Sequence, residues 1–176
     1  MKSIKWFMKE GLLVKDNSFK LIYNKFLEKA RNNLITMNLL AEMDKNKQTK
    51  DILKLPKDYN ADEWIVITGY YSMYSSALAL LAKIGFKSKN HTATILVLEE
   101  FFIKKNLLNQ EDLILLKNAS LKKEELRELS EARQKREIAQ YSITKQTTRE
   151  IAEKISKDAK NFVNKCEEIL IKINKK

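Results

Sequence analysis

The single histidine of the chain, His91, follows Lys89 by two residues and stands where a helix would begin. A cationic neighbour and a helix N-terminus both disfavour imidazolium. His91 is therefore expected to stay neutral near pH 7, able to act as a base or to hold a phosphate oxygen. Arg133 and Arg136 stand three residues apart, a spacing that sets two guanidinium groups side by side on one helix face, where they could grip one phosphate. Arg136 also shares a stripe with Leu126, Leu129, Ala132 and Ala139. A lone charge there would be costly, so it requires a carboxylate, a helix end or a ligand. Tyr141 follows in the same segment and could hydrogen-bond a phosphate or close the end of a bundle. Tyr70, Tyr71 and Tyr74 lie within about one helical turn. Such rings can stack on a base, and Tyr71 or Tyr74 is the one expected to keep a hydroxyl near a cleft.

Each of these residues also has a purely structural reading. His91 could cap its helix, Arg133 and Arg136 could pair with Glu128, Glu131 or Glu137, and the tyrosines could simply fill the core. Metal chemistry is not expected, because one His and one Cys do not make a His/Cys zinc site and His, Arg and Tyr are the wrong ligand set for hard cations. No cofactor is expected. The one cysteine, Cys166, forms no internal disulfide and falls on an apolar helix stripe.

The elements that position these residues are helices. Only three Gly and one Pro occur in 176 residues, too few for a turn-rich β architecture. The spacing predicts a short first helix over 3–15 ending near Gly11. A capping cluster at Asp16, Asn17 and Ser18 precedes a long helix striped by Leu21, Ile22, Phe26, Ala30, Leu34, Met37, Leu40 and Ala41. Residues 46–60 read as an exposed polar connection with a short turn at 51–55. A helix over 64–83 is apolar nearly all round and should be central, with Gly85 placed as its left-handed C-terminal cap. Asn90 or Thr92 can cap a helix from His91 to Ile103. A short helix is expected over 110–118, a charged one over 121–141, and a last one from about Thr144 to Ile173 with a period-3.6 apolar stripe. The sum is a single all-α domain spanning 1–176, an up-and-down bundle of four to five main helices, with 1–17 as an N-terminal extension.

The formal net charge is +11, from 34 basic and 23 acidic residues. The excess is +6 over residues 1–60 and +5 over 121–176, and zero in between. A basic surface favours encounter with nucleic acid. Composition offers an equal alternative, since 29 of the basic residues are Lys and Asn and Ile are also frequent. No apolar run reaches the roughly 18–20 residues of a spanning helix, and the N-terminal segment does not read as a signal peptide. A cytoplasmic protein without a membrane partner is expected.

Three segments resemble the HEPN family of small prokaryotic helical bundles. Residues 70–85, with paired Tyr, Met73-Tyr74, small residues and Leu80-Leu81 closing on Gly85, are similar to the family's second helix. Lys89-Asn90-His91 is similar to its Lys-x-His loop. Ala132-Arg133-Gln134-Lys135-Arg136-Glu137-Ile138-Ala139-Gln140-Tyr141 is similar to the Arg-x-x-Ala-Asp-Tyr helix of one subfamily, with Gln140 in place of its Asp. The resemblance implies a two-fold homodimer and a toxin–antitoxin-type setting. It also implies RNA or a nucleotide as ligand and a nucleotidyltransferase as protein partner. The family's ribonucleases carry an Arg followed four to six residues later by a His. Here Gln140, Tyr141 and Ser142 follow the arginines and no His does. The resemblance therefore implies binding without clear catalysis, through Arg133, Arg136, Tyr141, His91, Lys89, Tyr71 and Tyr74. The alternative it leaves is a metal-independent ribonuclease using Arg136 and His91 across a dimer cleft.

Overall fold

The computed structural model describes residues 2–135 and 141–175, with side chains described outside 125–148. The element order is α1 (Ile4–Lys9), β1 (Leu13–Lys15), a 3₁₀ turn (Asn17–Ile22), α2 (Tyr23–Lys45) and α3 (Lys47–Ile52). Then come α4 (Asp62–Lys83), β2 (Phe86–Ser88), α5 (His91–Leu98), a π turn (Glu99–Ile103), α6 (Gln110–Lys135) and α7 (Tyr141–Asn174). The all-α, HEPN-like bundle expected from the sequence is what forms. The strands are three residues each and pair only with one another.

Helix α4 is the axis. It packs against α2, α7 and α6, and Val66, Met73, Ala77, Leu80 and Leu81 lose all contact with solvent. Its length and mean hydropathy also match those of a membrane-spanning helix, but 72% of that window is buried inside the bundle. Apolar all round is what the central helix of a bundle requires. Gly69 marks a close approach to two neighbours: a Cβ there would stand 2.6 Å from Ile155 Cγ2 of α7 and 3.1 Å from Met37 Sδ of α2. Gly85 ends the helix at φ +83°, a conformation that side chains with a Cβ adopt at a cost.

The caps follow the sequence. Asp16 accepts the Ser18 N–H at 2.7 Å and Asn90 accepts the Ala93 N–H at 3.1 Å. Asn109 and Asp112 exchange backbone N–H to side-chain bonds at 2.9 and 2.7 Å, the reciprocal cap that starts α6. The α7 stripe is buried from Ala152 and Ile155 through Phe162, Cys166 and Leu170.

Four local expectations are corrected. Residues 13–15 extend the first segment as a strand, not a helix, since Gly11 at φ +66° turns the chain back. Leu21 is 83% exposed: it lies in the 3₁₀ turn, whose three residues per turn break the register that the α-helical stripe assumed. A helix at 47–52 replaces the turn expected at 51–55, capped by Asn46 on the Thr49 N–H. Residues 110–135 form one helix instead of two, because Ala119 and Ser120 are buried. Packing there carries the helix through a polar stretch that contains no Gly or Pro.

Candidate functional site

The first turn of α5 and the middle of α4 bring His91 onto the tyrosine stripe. The imidazole lies on the ring of Tyr74, with centroids 5.5 Å apart and planes at 29°, and 6.2 Å from that of Tyr70. Tyr70 and Tyr74 are themselves stacked at 5.8 Å and 10°, as expected one turn apart on a helix. Tyr71 meets Tyr70 edge-on at 5.1 Å and is 42% exposed. From α6, the Lys123 ammonium stands 4.5 Å from the Tyr70 ring centre and 5.5 Å from that of Tyr71, within cation–π range of both. The result is an aromatic platform with a cation over it and one ring open to solvent.

Burial holds His91 below the usual imidazole value. Glu124 opposes that shift, and Lys123 and Lys117 add to it. The direction agrees with expectation, while the cause differs: desolvation leads, and the cations that act come from α6 rather than from the sequence neighbour Lys89. Both ring nitrogens are buried and have no hydrogen-bond partner among the described residues. Burial also pushes the Tyr70 phenol up to about 12, with a Ser120 hydrogen bond pulling the other way. The Tyr74 hydroxyl lies 3.4 Å from Thr94 Oγ1. The buried imidazole backs the platform, and the exposed Tyr71 ring beside the Lys123 ammonium can stack on a planar ligand.

Of the residues singled out from the sequence, His91, Tyr71 and Tyr74 are brought together. Lys89 is exposed on the segment leading into α5, its N–H donating to the Leu12 carbonyl at 2.9 Å. Arg136 lies outside the described residues, as do the side chains of Arg133 and Tyr141. Sequence reasoning missed Ser120, Lys123 and Glu124. Their spacing of three and four is the signal, legible only once 110–135 is read as one helix.

A second charged cluster was also missed. Arg149 of α7 reaches Asp44 of α2 and, at 3.3 Å, Asp62 at the start of α4, and its Nε bonds Glu153 at 3.0 Å. Lys50 of α3 bonds Asp44 at 2.7 Å. These groups join four helices at one end of the bundle, beside a groove of about 460 Å³. Every carboxylate here has a cation, which makes the cluster a clasp.

The HEPN domain family matches residues 57–169, which run from the approach to α4 through most of α7 and leave α1, β1, α2 and α3 outside. Over 99 residues the chain is 34% identical to a UPF0332 protein of Archaeoglobus fulgidus, covering 56% of this chain and 68% of that protein. No solved structure matches the chain.

Proposed function

The chain belongs to the HEPN domain family, and from that premise we propose that it binds RNA through the platform of Tyr71, Tyr74, His91 and Lys123. One observation carries this reading: an ammonium sits over two tyrosine rings, one of them open to solvent, beside a buried imidazole with no hydrogen-bond partner among the described residues. Single-stranded RNA is recognised by stacking of splayed bases on aromatic rings, with cations taking the phosphates. In this reading Arg133, Arg136 and Tyr141 supply further phosphate contacts. The protein acts as a homodimer docked to a nucleotidyltransferase in a toxin–antitoxin-type system, as the family resemblance implies. Fluorescence anisotropy with a labelled single-stranded RNA tests it. Tyr71→Ala should weaken binding by about 1–3 kcal/mol, the usual worth of one stacked base, while Tyr71→Phe should retain most of it. Wild-type affinity for RNA no better than for a neutral polymer would refute the proposal.

A second reading is the ribonuclease that the resemblance leaves open, in which His91 takes the 2′-hydroxyl proton and Arg136 holds the phosphate charge; it requires the buried ring nitrogens of His91, unpartnered among the described residues, to open to the substrate. Cleavage of RNA in EDTA, abolished by His91→Ala and by Arg136→Ala, would establish it in place of simple binding.

A further inference from the structure

The residues N-terminal to the family match build a surface of their own next to the platform. Strand β1, outside the match, pairs antiparallel with β2, inside it, with Leu13 opposite Ser88, Val14 opposite Lys87 and Lys15 opposite Phe86. Leu13 and Phe86 point into the core, and Val14, Lys15 and Lys87 stay outside. The ribbon continues into the platform. Ser88 accepts the Asn90 N–H, Asn90 caps α5, and His91 is the first residue of that helix. Lys89, fixed by its N–H to the Leu12 carbonyl at 2.9 Å, lies between ribbon and platform.

The exposed side chains of this unit are mostly lysine. Lys5 and Lys9 lie on the solvent face of α1 opposite buried Phe7, and Lys2 stands just ahead of its N-cap Ser3. Lys15 and Lys87 bracket the ribbon, their ammonium groups 5.3 Å from the Phe86 ring and 5.6 Å from the Phe19 ring. None of these five, nor Lys89, makes an ion pair among the described residues, a property they share with other surface lysines such as Lys154 and Lys172; what distinguishes them is their place beside the platform. Glu10 and Asp16 are the acidic residues exposed beside them, so the unit keeps a cationic excess that attracts a polyanion.

We propose that the β1–β2 ribbon and the outer face of α1 form a phosphate track, along which the backbone of a single-stranded RNA runs after its bases leave the Tyr71 platform. The ligand class is a polyanionic RNA strand longer than the platform alone can hold. This inference rests on the RNA-binding reading and extends its site to residues the family match does not include.

The test is RNA affinity against salt concentration, read by anisotropy with a strand of ~20 nucleotides, beyond the 4–16 that a typical single-strand-binding fold covers. Each phosphate neutralised contributes about 0.7 to the slope of log affinity on log salt for single strands. K15Q/K87Q/K89Q should lower that slope by about 2 and weaken binding at least ~10-fold near 0.1 M salt. A K2Q/K5Q/K9Q variant should act in the same direction. K154Q/K172Q/K175Q, which removes the same charge from exposed positions on and just after α7, should leave the slope near wild type. Circular dichroism melts confirm that each variant is folded. Equal effects of ribbon and α7 variants, with Tyr71→Ala still weakening binding, would overturn the track and leave the platform reading standing. Absence of RNA binding by the wild type would overturn both. Ribbon-dependent binding to vesicles of anionic phospholipid, with none to RNA, would reassign the surface to membranes.

Discussion

The imidazole of His91 lies on the ring of Tyr74, with centroids 5.5 Å apart and planes at 29°, and neither of its nitrogens has a hydrogen-bond partner among the described residues. A ring held in this way cannot be protonated without carrying its charge into a desolvated site.

That fixes the sign of a pH dependence. The folded-state pKa of His91 lies below the unfolded value of 6.5, so the unfolded chain takes up the proton first. The contribution of His91 to stability is fully present above pH ~6.5. It is lost progressively as pH falls from there toward the folded-state pKa, at up to about 1.4 kcal/mol per pH unit. Urea denaturation between pH 5 and 7.5 should show this slope in the wild type. His91→Phe should flatten it. Identical pH profiles for the two proteins would show that burial at this site carries no penalty for the charged ring.

Gly69 should not accept even one methyl group. The added Cβ would meet Ile155 Cγ2 at 2.6 Å, and that atom belongs to a β-branched side chain with little freedom in a helix. Overpacking of this kind costs about 1–3 kcal/mol, against about 1 kcal/mol gained by Ala over Gly in helix propensity. Gly69→Ala should therefore lower the melting temperature. Combining it with Ile155→Ala, which makes room at the expense of a cavity, should give less than the sum of the two losses. Strict additivity would rule out the contact as the cause.

Arg149 should be a sensitive half-buried charge to remove. It is 31% exposed, but its partners are not: the Asp62 side chain is 1% exposed and that of Asp44 8%. Arg149→Met leaves the buried Asp62 carboxylate without a cation while Asp44 keeps Lys50, and losses of this type run to about 3–5 kcal/mol. Arg149→Lys should recover only part, since an ammonium cannot reproduce the guanidinium fork. Adding Asp62→Asn to Arg149→Met should restore stability. Chemical denaturation of the four proteins reads all of these outcomes.

Cys166 should be inert in the folded protein. It is fully buried on α7, and burial pushes its thiol up to about 12, so thiolate is scarce at neutral pH. An aromatic disulfide reagent should titrate one thiol only as the chain unfolds. Fast modification under native conditions would show that α7 opens locally.

The sequence by itself determined the family and most of the helices, though not α3 or the unbroken α6. Period-3.6 stripes on 151–173, a helix apolar on every side at 64–83, and caps at Asp16, Asn90 and Gly85 are local signals, each acting within a few residues, so they could be read without knowing what packs where. The tyrosine stripe and His91 were legible as candidates for the same reason. The tertiary structure alone decided what completes the site. Ser120, Lys123 and Glu124 reach Tyr70 and His91 because α6 runs unbroken against α4, and only the burial of Ala119 and Ser120 makes it do so. The pairing of β1 with β2 and the meeting of Arg149 with Asp44 and Asp62 join residues some seventy to a hundred positions apart. Such contacts are chosen by the global packing of the chain, in which the gain from burying α4 on all sides outweighs local preference, and no nearby residue records that choice.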